Sequence, residues 1–143
     1  MFLAMELILQ FQLRIAVSPE LADALHADPS YASQAALRDV LRKHNATLKC
    51  QFDAFADYVN EAERHGTENY PLYQWTKETI ENPEKKAKYR QSFTVYVKGD
   101  ETYGKDVADV MENELLKLVG EDGIRRVSRF DTNPANNPQP PRR

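Results

Sequence analysis

The side chains in this 143-residue chain best suited to hold a metal or attack an electrophile are His26, His44, His65 and Cys50. A zinc centre needs three or four converging ligands, usually announced by close pairs of His and Cys. No such pair occurs, and the three histidines read as one at a helix end and two on the surface. Cys50 is the only cysteine and alternates with polar neighbours, so it reads as a small buried hydrophobe. A nucleophilic thiol would need a base and an open, electropositive setting. Asp106, Asp109 and Glu112 read as a solvated helix face, because a shifted carboxylate pKa requires burial. Gly99, Gly104, Gly120 and Gly123 punctuate the chain and form no phosphate loop. No catalytic, cofactor-binding or metal-binding residue is assigned, and the expectation is a protein that binds rather than catalyses.

Two stretches are suited to binding. Glu84–Arg90, mostly basic and carrying Tyr89, has the charge and the ring to contact RNA, but such a run is more often a solvated connector. The net charge of −3 and a pI near 5.6 also argue against a general nucleic-acid binder. The second stretch is an aromatic cluster, Tyr70, Tyr73 and Trp75 with Leu72, in polar surroundings. It either plugs the domain's own core or forms a partner site, and plugging is the commoner outcome.

The elements that position these residues follow from hydrophobic period. Leu7, Leu9, Phe11, Leu13, Ile15 and Val17 alternate with Gln10, Gln12 and Arg14, which predicts a long strand over Leu7–Val17. Ser18-Pro19 caps a short helix over Pro19–Ala27. A second helix is expected over Tyr31–His44, with Ala36, Leu37, Val40 and Leu41 as its apolar stripe. Leu48, Cys50 and Phe52 alternate through a strand at Thr47–Asp53. Residues 56–91 read as an insertion with one or two short helices. Ser92–Lys98 reads as a strand with Phe93, Val95 and Val97 inward and Thr94 and Tyr96 outward. A helix over Tyr103–Val119 and a last strand over Ile124–Asp131 complete the pattern. Residues 1–131 then form one domain, and 132–143 a loose tail rich in Asn and Pro.

The order β-α-β-(insertion)-β-α-β predicts an α+β, ferredoxin-like sandwich: a four-stranded antiparallel sheet in the order 4-1-3-2, helices on one face. The helix-free face would carry Ile8, Gln10, Gln12, Arg14, Thr47, Lys49, Thr94 and Tyr96. RNA-recognition sheets carry exposed aromatics and glycines in a fixed run, which Ser92–Lys98 lacks. The start MFLAMELIL lacks a signal peptide's charged region and cleavage site, and no apolar run approaches the ~20 residues of a membrane span. A soluble cytoplasmic protein is expected.

The block Ala36–Leu48, a helix ending at a small cap and entering a strand, resembles the first half of subtilisin-type propeptides, the I9 inhibitor-like domains. Ser92–Val97, the helix over Val107–Val119 and Ile124–Phe130 resemble their second half. The resemblance implies a module that packs its helix-free sheet face on a serine protease as inhibitor or folding chaperone. Phe130, Asp131, Thr132 and Asn133 would then lie in the protease cleft with Pro134. The partner face expected on these grounds is Gln10, Gln12, Arg14, Lys49, Thr94 and Tyr96 with that segment. The alternative is a small ligand-binding protein or enzyme of the dimeric α/β-barrel type, a homodimer with a pocket under the 56–91 insertion.

Overall fold

The computed structural model describes residues 10–28, 30–31, 34–120 and 123–132. Its four strands are β1 (Phe11–Val17), β2 (Ala46–Cys50), β3 (Ser92–Val97) and β4 (Ile124–Asp131). They form one antiparallel sheet in the order β2-β3-β1-β4. The two cleanest alternations, β1 and β3, are its centre, where both edges of a strand are hydrogen-bonded. Helices α1 (Pro19–Ala27) and α2 (Ala35–Lys43) connect β1 to β2. A helical segment connects β2 to β3: α3 (Gln51–His65), a 3-10 turn (Thr67–Asn69), α4 (Tyr73–Glu81) and α5 (Pro83–Arg90). Helix α6 (Lys105–Leu116) connects β3 to β4, so the architecture is α+β. Among the described residues no helix is long and apolar enough to cross a membrane.

Period-2 alternation sends Leu13, Ile15 and Val17 to one side of the sheet with Phe93, Val95 and Val97. Leu21 and Leu25 of α1, Leu37 and Leu41 of α2, and Met111 and Leu115 of α6 close over them in one buried cluster. Each large aliphatic so buried contributes about 1.5–3 kcal/mol. Ser18 caps α1, its hydroxyl accepting the Leu21 N–H at 3.1 Å, as expected of Ser-Pro at a helix start.

Several boundaries differ from the sequence reading. Tyr31 lies outside α2, in the left-handed region at φ 57°; its hydroxyl accepts the Leu48 N–H at 3.2 Å. β2 ends at Cys50 rather than Asp53, because Phe52, Phe55, Val59 and Ala62 repeat at helical spacing and carry the chain into α3. The segment between β2 and β3 therefore begins at Gln51 and holds three α-helices. Its aromatics do not plug the main core. Trp75 is 51 % exposed and meets Phe55 edge-on with ring centroids 5.9 Å apart. Tyr70 meets Tyr58 edge-on at 5.4 Å, and Tyr73 donates to Glu63 at 2.8 Å. What packs inside the segment is small: Val59 and Ala62 of α3, with Thr76 and Thr79 of α4.

Tyr103, expected inside the last helix, instead extends the sheet. Its backbone exchanges two hydrogen bonds with Phe11, at 2.7 and 2.9 Å. Its hydroxyl accepts from the Leu13 N–H at 2.9 Å and donates to the Val95 carbonyl at 2.8 Å. One phenol thus fills the place where β1 and β3 part. Burial, opposed by the Leu13 bond, pushes its pKa up to about 12.

β4 keeps the expected bounds, and Arg129 is largely covered, its side chain 20 % exposed. It pairs with Leu13 in the register and lies on the helix side. Its guanidinium stacks over Phe11 at 4.3 Å and donates to Asp109 at 2.5 Å and Glu112 at 3.0 Å. Those two carboxylates, read from sequence as a solvated face, clasp it. The hydrogen bonds from Lys105 and Arg129 hold Asp109 below the usual carboxylate range. Thr132, read as the start of a loose tail, donates its N–H and hydroxyl to the Gln10 carbonyl at 3.0 and 2.7 Å. Leu7, Ile8, Leu9, Asn133 and the rest of the expected tail lie outside the described residues.

Candidate functional site

On the other side of the sheet from the main core, the register lines up a polar row. Lys49 of β2 faces Thr94 of β3, Thr94 faces Arg14 of β1, and Arg14 faces Ser128 of β4. One register step away Gln12 faces Phe130, and Tyr96 faces Thr47. The sequence-predicted face is thus brought together, though not uniformly wetted. Gln12 and Thr94 are only 9 % and 8 % exposed, set between longer neighbours in the cross-strand rows. Lys49 is drawn away to Asp57 of α3 at 2.8 Å, and that hydrogen bond raises its pKa. Tyr96 donates to Glu101 at 3.4 Å, and burial raises its pKa. Phe130, Asp131 and Thr132 run alongside β1 as sheet neighbours.

Arg14 is the most constrained cation on this face. Its guanidinium stacks over the Phe130 ring at 4.4 Å, a favourable arrangement of charge and ring quadrupole. Its Nε donates to Gln12 Oε1 at 2.6 Å, and Gln12 Nε2 in turn donates to the Glu101 carbonyl at 3.3 Å. Burial lowers the Arg14 pKa, opposed by the charges of Tyr89 and Glu101. The group is held by a neutral amide and a ring, in one orientation, before any partner arrives.

Beside Arg14 opens a cleft of about 400 Å³, within the size range of ligand pockets. Two features absent from any sequence motif build it. First, the β1–β4 register slips by one residue between Ala16 and Val17, so that Arg126 faces Ala16 while Ile124 faces Val17. The extra residue is Arg125, and a bulge of this kind re-aims a side chain. Arg125 and Arg126 both line the cleft, although neighbours on a regular strand point to opposite sides. Second, the C-terminal end of α5 brings Lys88 and Tyr89 over the sheet margin. Asn82 starts that helix, its side chain accepting from Glu84 N–H at 3.0 Å and Lys85 N–H at 3.2 Å. Tyr89 is braced edge-on by Phe55 at 4.9 Å. Gln51 and Ser92, hydrogen-bonded to each other, also contribute to the lining.

Among the described residues, four cations, Arg14, Lys88, Arg125 and Arg126, line this cleft, and no carboxylate does. In a chain of net charge −3 that is a local inversion of sign. It creates a field that attracts an anion, and the two rings flanking it offer apolar contact. Tyr70, Tyr73 and Trp75 do not reach the cleft lining; the residues between β2 and β3 that do are Gln51, Lys88, Tyr89 and Gln91. Comparisons with models of protein families, with characterised proteins and with solved structures give no match.

Proposed function

We propose that the chain is a non-enzymatic binding module of ferredoxin-like topology that docks an acidic segment of another protein on the sheet face opposite its core. The observation that carries this reading is the cleft lined by Arg14, Lys88, Arg125 and Arg126, with no carboxylate among its described lining residues. A guanidinium preset by stacking and by an amide loses little freedom on meeting a carboxylate and can pair with it in a two-pronged geometry. The strand order β4-β1-β3-β2 supports the ferredoxin-like assignment, with α3–α5 as the insertion between the second and third strands. The propeptide resemblance would make the partner a subtilisin-type protease. The pairing of Phe130–Thr132 along β1 leaves the face around Arg14, rather than that segment, as the main contact.

The second reading, a small-ligand protein, is favoured by one observation: α5 of the inserted segment forms a wall of the cleft. Its ligand would be a small anion with an apolar or aromatic body, held by the same cations.

The test measures binding of a fluorescent Asp/Glu-rich peptide to the full chain across a salt series, in parallel with an aromatic carboxylate and an aromatic phosphate. Peptide binding that weakens steeply with salt and falls about tenfold or more in Arg14→Ala is expected. Tight retention of the small anions with no peptide binding selects the second reading. Indifference of all three to Arg126→Glu and Arg14→Ala overturns both. Inhibition of a subtilisin-type protease by the same preparation tests the identity of the partner.

A further inference from the structure

A second cluster lies on the opposite side of the molecule's sheet, where α1, β2 and α3 meet. His26 is in the last turn of α1, Cys50 ends β2, and Asp53 is in the first turn of α3. One ligand atom of each, the imidazole Nε2 or Nδ1, the Sγ and a carboxylate oxygen, lies within 4.8 Å of the other two. The three come from three elements and converge only through the fold.

We propose that His26, Cys50 and Asp53 form a binding site for a single divalent ion of zinc type. The imidazole is oriented for the task. Its Nδ1 lies 2.9 Å from the Ala22 carbonyl, an acceptor only, so Nδ1 carries the proton there and Nε2 is directed at Asp53 Oδ2, 3.1 Å away. A backbone carbonyl on the far nitrogen is the usual support of a metal-bound histidine, fixing its tautomer and raising its basicity. A nitrogen and an oxygen bound to one tetrahedral zinc at about 2.0–2.1 Å each stand at roughly the separation seen here. The Phe93 ring, its centroid 5.5 Å from that of His26, braces the imidazole from the core side.

The thiol supplies selectivity. A soft thiolate beside an imidazole and a carboxylate favours zinc over magnesium or calcium. Cys50 is buried, its Sγ within 3.4 Å of the Tyr89 carbonyl and 3.5 Å of the Arg90 carbonyl. Burial raises its pKa, opposed by the backbone N–H groups of Asp53 and Phe52 at the start of α3. A thiol so enclosed is a poor nucleophile; a bound cation would displace its proton to solvent and take the sulfur as thiolate. The three residues line a hollow of about 430 Å³ that also meets Leu25, Tyr31 and Asp57. It gives the ion an entry path and leaves a fourth coordination position open. Asp57 is engaged with Lys49 at 2.8 Å, so three protein ligands and one open position is the expected set.

The full chain, stripped with a chelator, is titrated with Zn²⁺ and with Co²⁺ as a spectroscopic probe. One ion per chain, a sulfur-to-cobalt charge-transfer band, proton release on uptake and a raised Tm with Zn²⁺ are expected. His26→Gln and Asp53→Asn should each weaken Zn²⁺ at least about tenfold, and Cys50→Ser should remove the charge-transfer band. Asp53 is half exposed, so its variant folds and keeps the test decisive. No uptake by the unaltered chain, a spectrum without the sulfur band, or equal affinity in folded Asp53→Asn overturns the site. In that case His26 and Asp53 form only an ion pair tying α1 to α3.

Discussion

The sheet with α1, α2 and α6, and the helical segment α3–α5 between β2 and β3, are held together by different means. In the first, large aliphatic side chains from three helices and three strands, with Ala46 and Cys50 of β2, share one buried cluster. In the second, the buried contacts are Val59, Ala62, Thr76 and Thr79, and the rings around them pack edge-on and partly in water. Thr76 and Thr79 donate their hydroxyls to the carbonyls of Leu72 and Trp75, at 2.7 and 2.8 Å, within their own helical turn. Their burial is therefore satisfied locally and contributes little to holding α4 against α3. Small buried groups bring helices close but remove little apolar surface from water. The lesson is that stability is concentrated in the sheet half, while the segment that walls the cation-lined cleft sits at the lower end of the local-stability range, where binding elements are commonly found.

The largest effect should come from the sheet half. Leu13→Ala removes a fully buried side chain at the centre of the sheet and should cost about 3–5 kcal/mol. Urea unfolding followed by circular dichroism checks it; a loss below about 1 kcal/mol would break the comparison.

Tyr103→Phe comes next. It strips the Leu13 N–H and the Val95 carbonyl of a buried partner and should cost about 1–3 kcal/mol. It also carries a signed pH test. An unfolded tyrosine ionises near pH 10, whereas folded Tyr103 holds its proton to about 12. Stability from this group is complete below about pH 10. It should fall by about 1.4 kcal/mol per pH unit through that window and be lost above it. Tyr103→Phe should abolish this part of the alkaline decline.

Asn82→Ala removes the α5 cap and should cost about 1 kcal/mol. Hydrogen exchange should accelerate across α4 and α5 while β1 and β3 amides keep their rates; a uniform change would show that both halves unfold together. Trp75→Phe should be smallest, within about 0.5 kcal/mol, because half of the indole already meets water. Acrylamide should quench Trp75 efficiently in the native state.

What could be read from the chain divides along the same line. β1, β3 and the Ser18 cap were legible because one local pattern, alternation or Ser-Pro, fixes each, whereas β4 was read from a less regular run. The end of β2 was not: Leu48, Cys50 and Phe52 alternate without a break, and only the later return of Val59 and Ala62 reveals that a helix has begun. Tyr103 fits a helical stripe as well as a sheet bridge, and its hydroxyl's role depends on where β1 and β3 separate. The row of Arg14, Lys49, Thr94 and Tyr96 followed from period 2 alone. The bulge that sets Arg125 beside Arg126, and the end of α5 that adds Lys88, are consequences of register and of a chain path the local pattern does not encode. His26, Cys50 and Asp53 were invisible for the same reason.

The pairing of β1 with β4, in which Phe11 lies opposite Asp131, has a consequence for biogenesis. A ribosome releases β1 long before its outer neighbour has been made, and the gap must be held by transient contacts until residues 124–131 emerge. Closure of so distant a pair is slow relative to hairpin formation. Until then one edge of a strongly apolar strand stays unpartnered, and nascent chains halted before residue 124 should be those that chaperones retain.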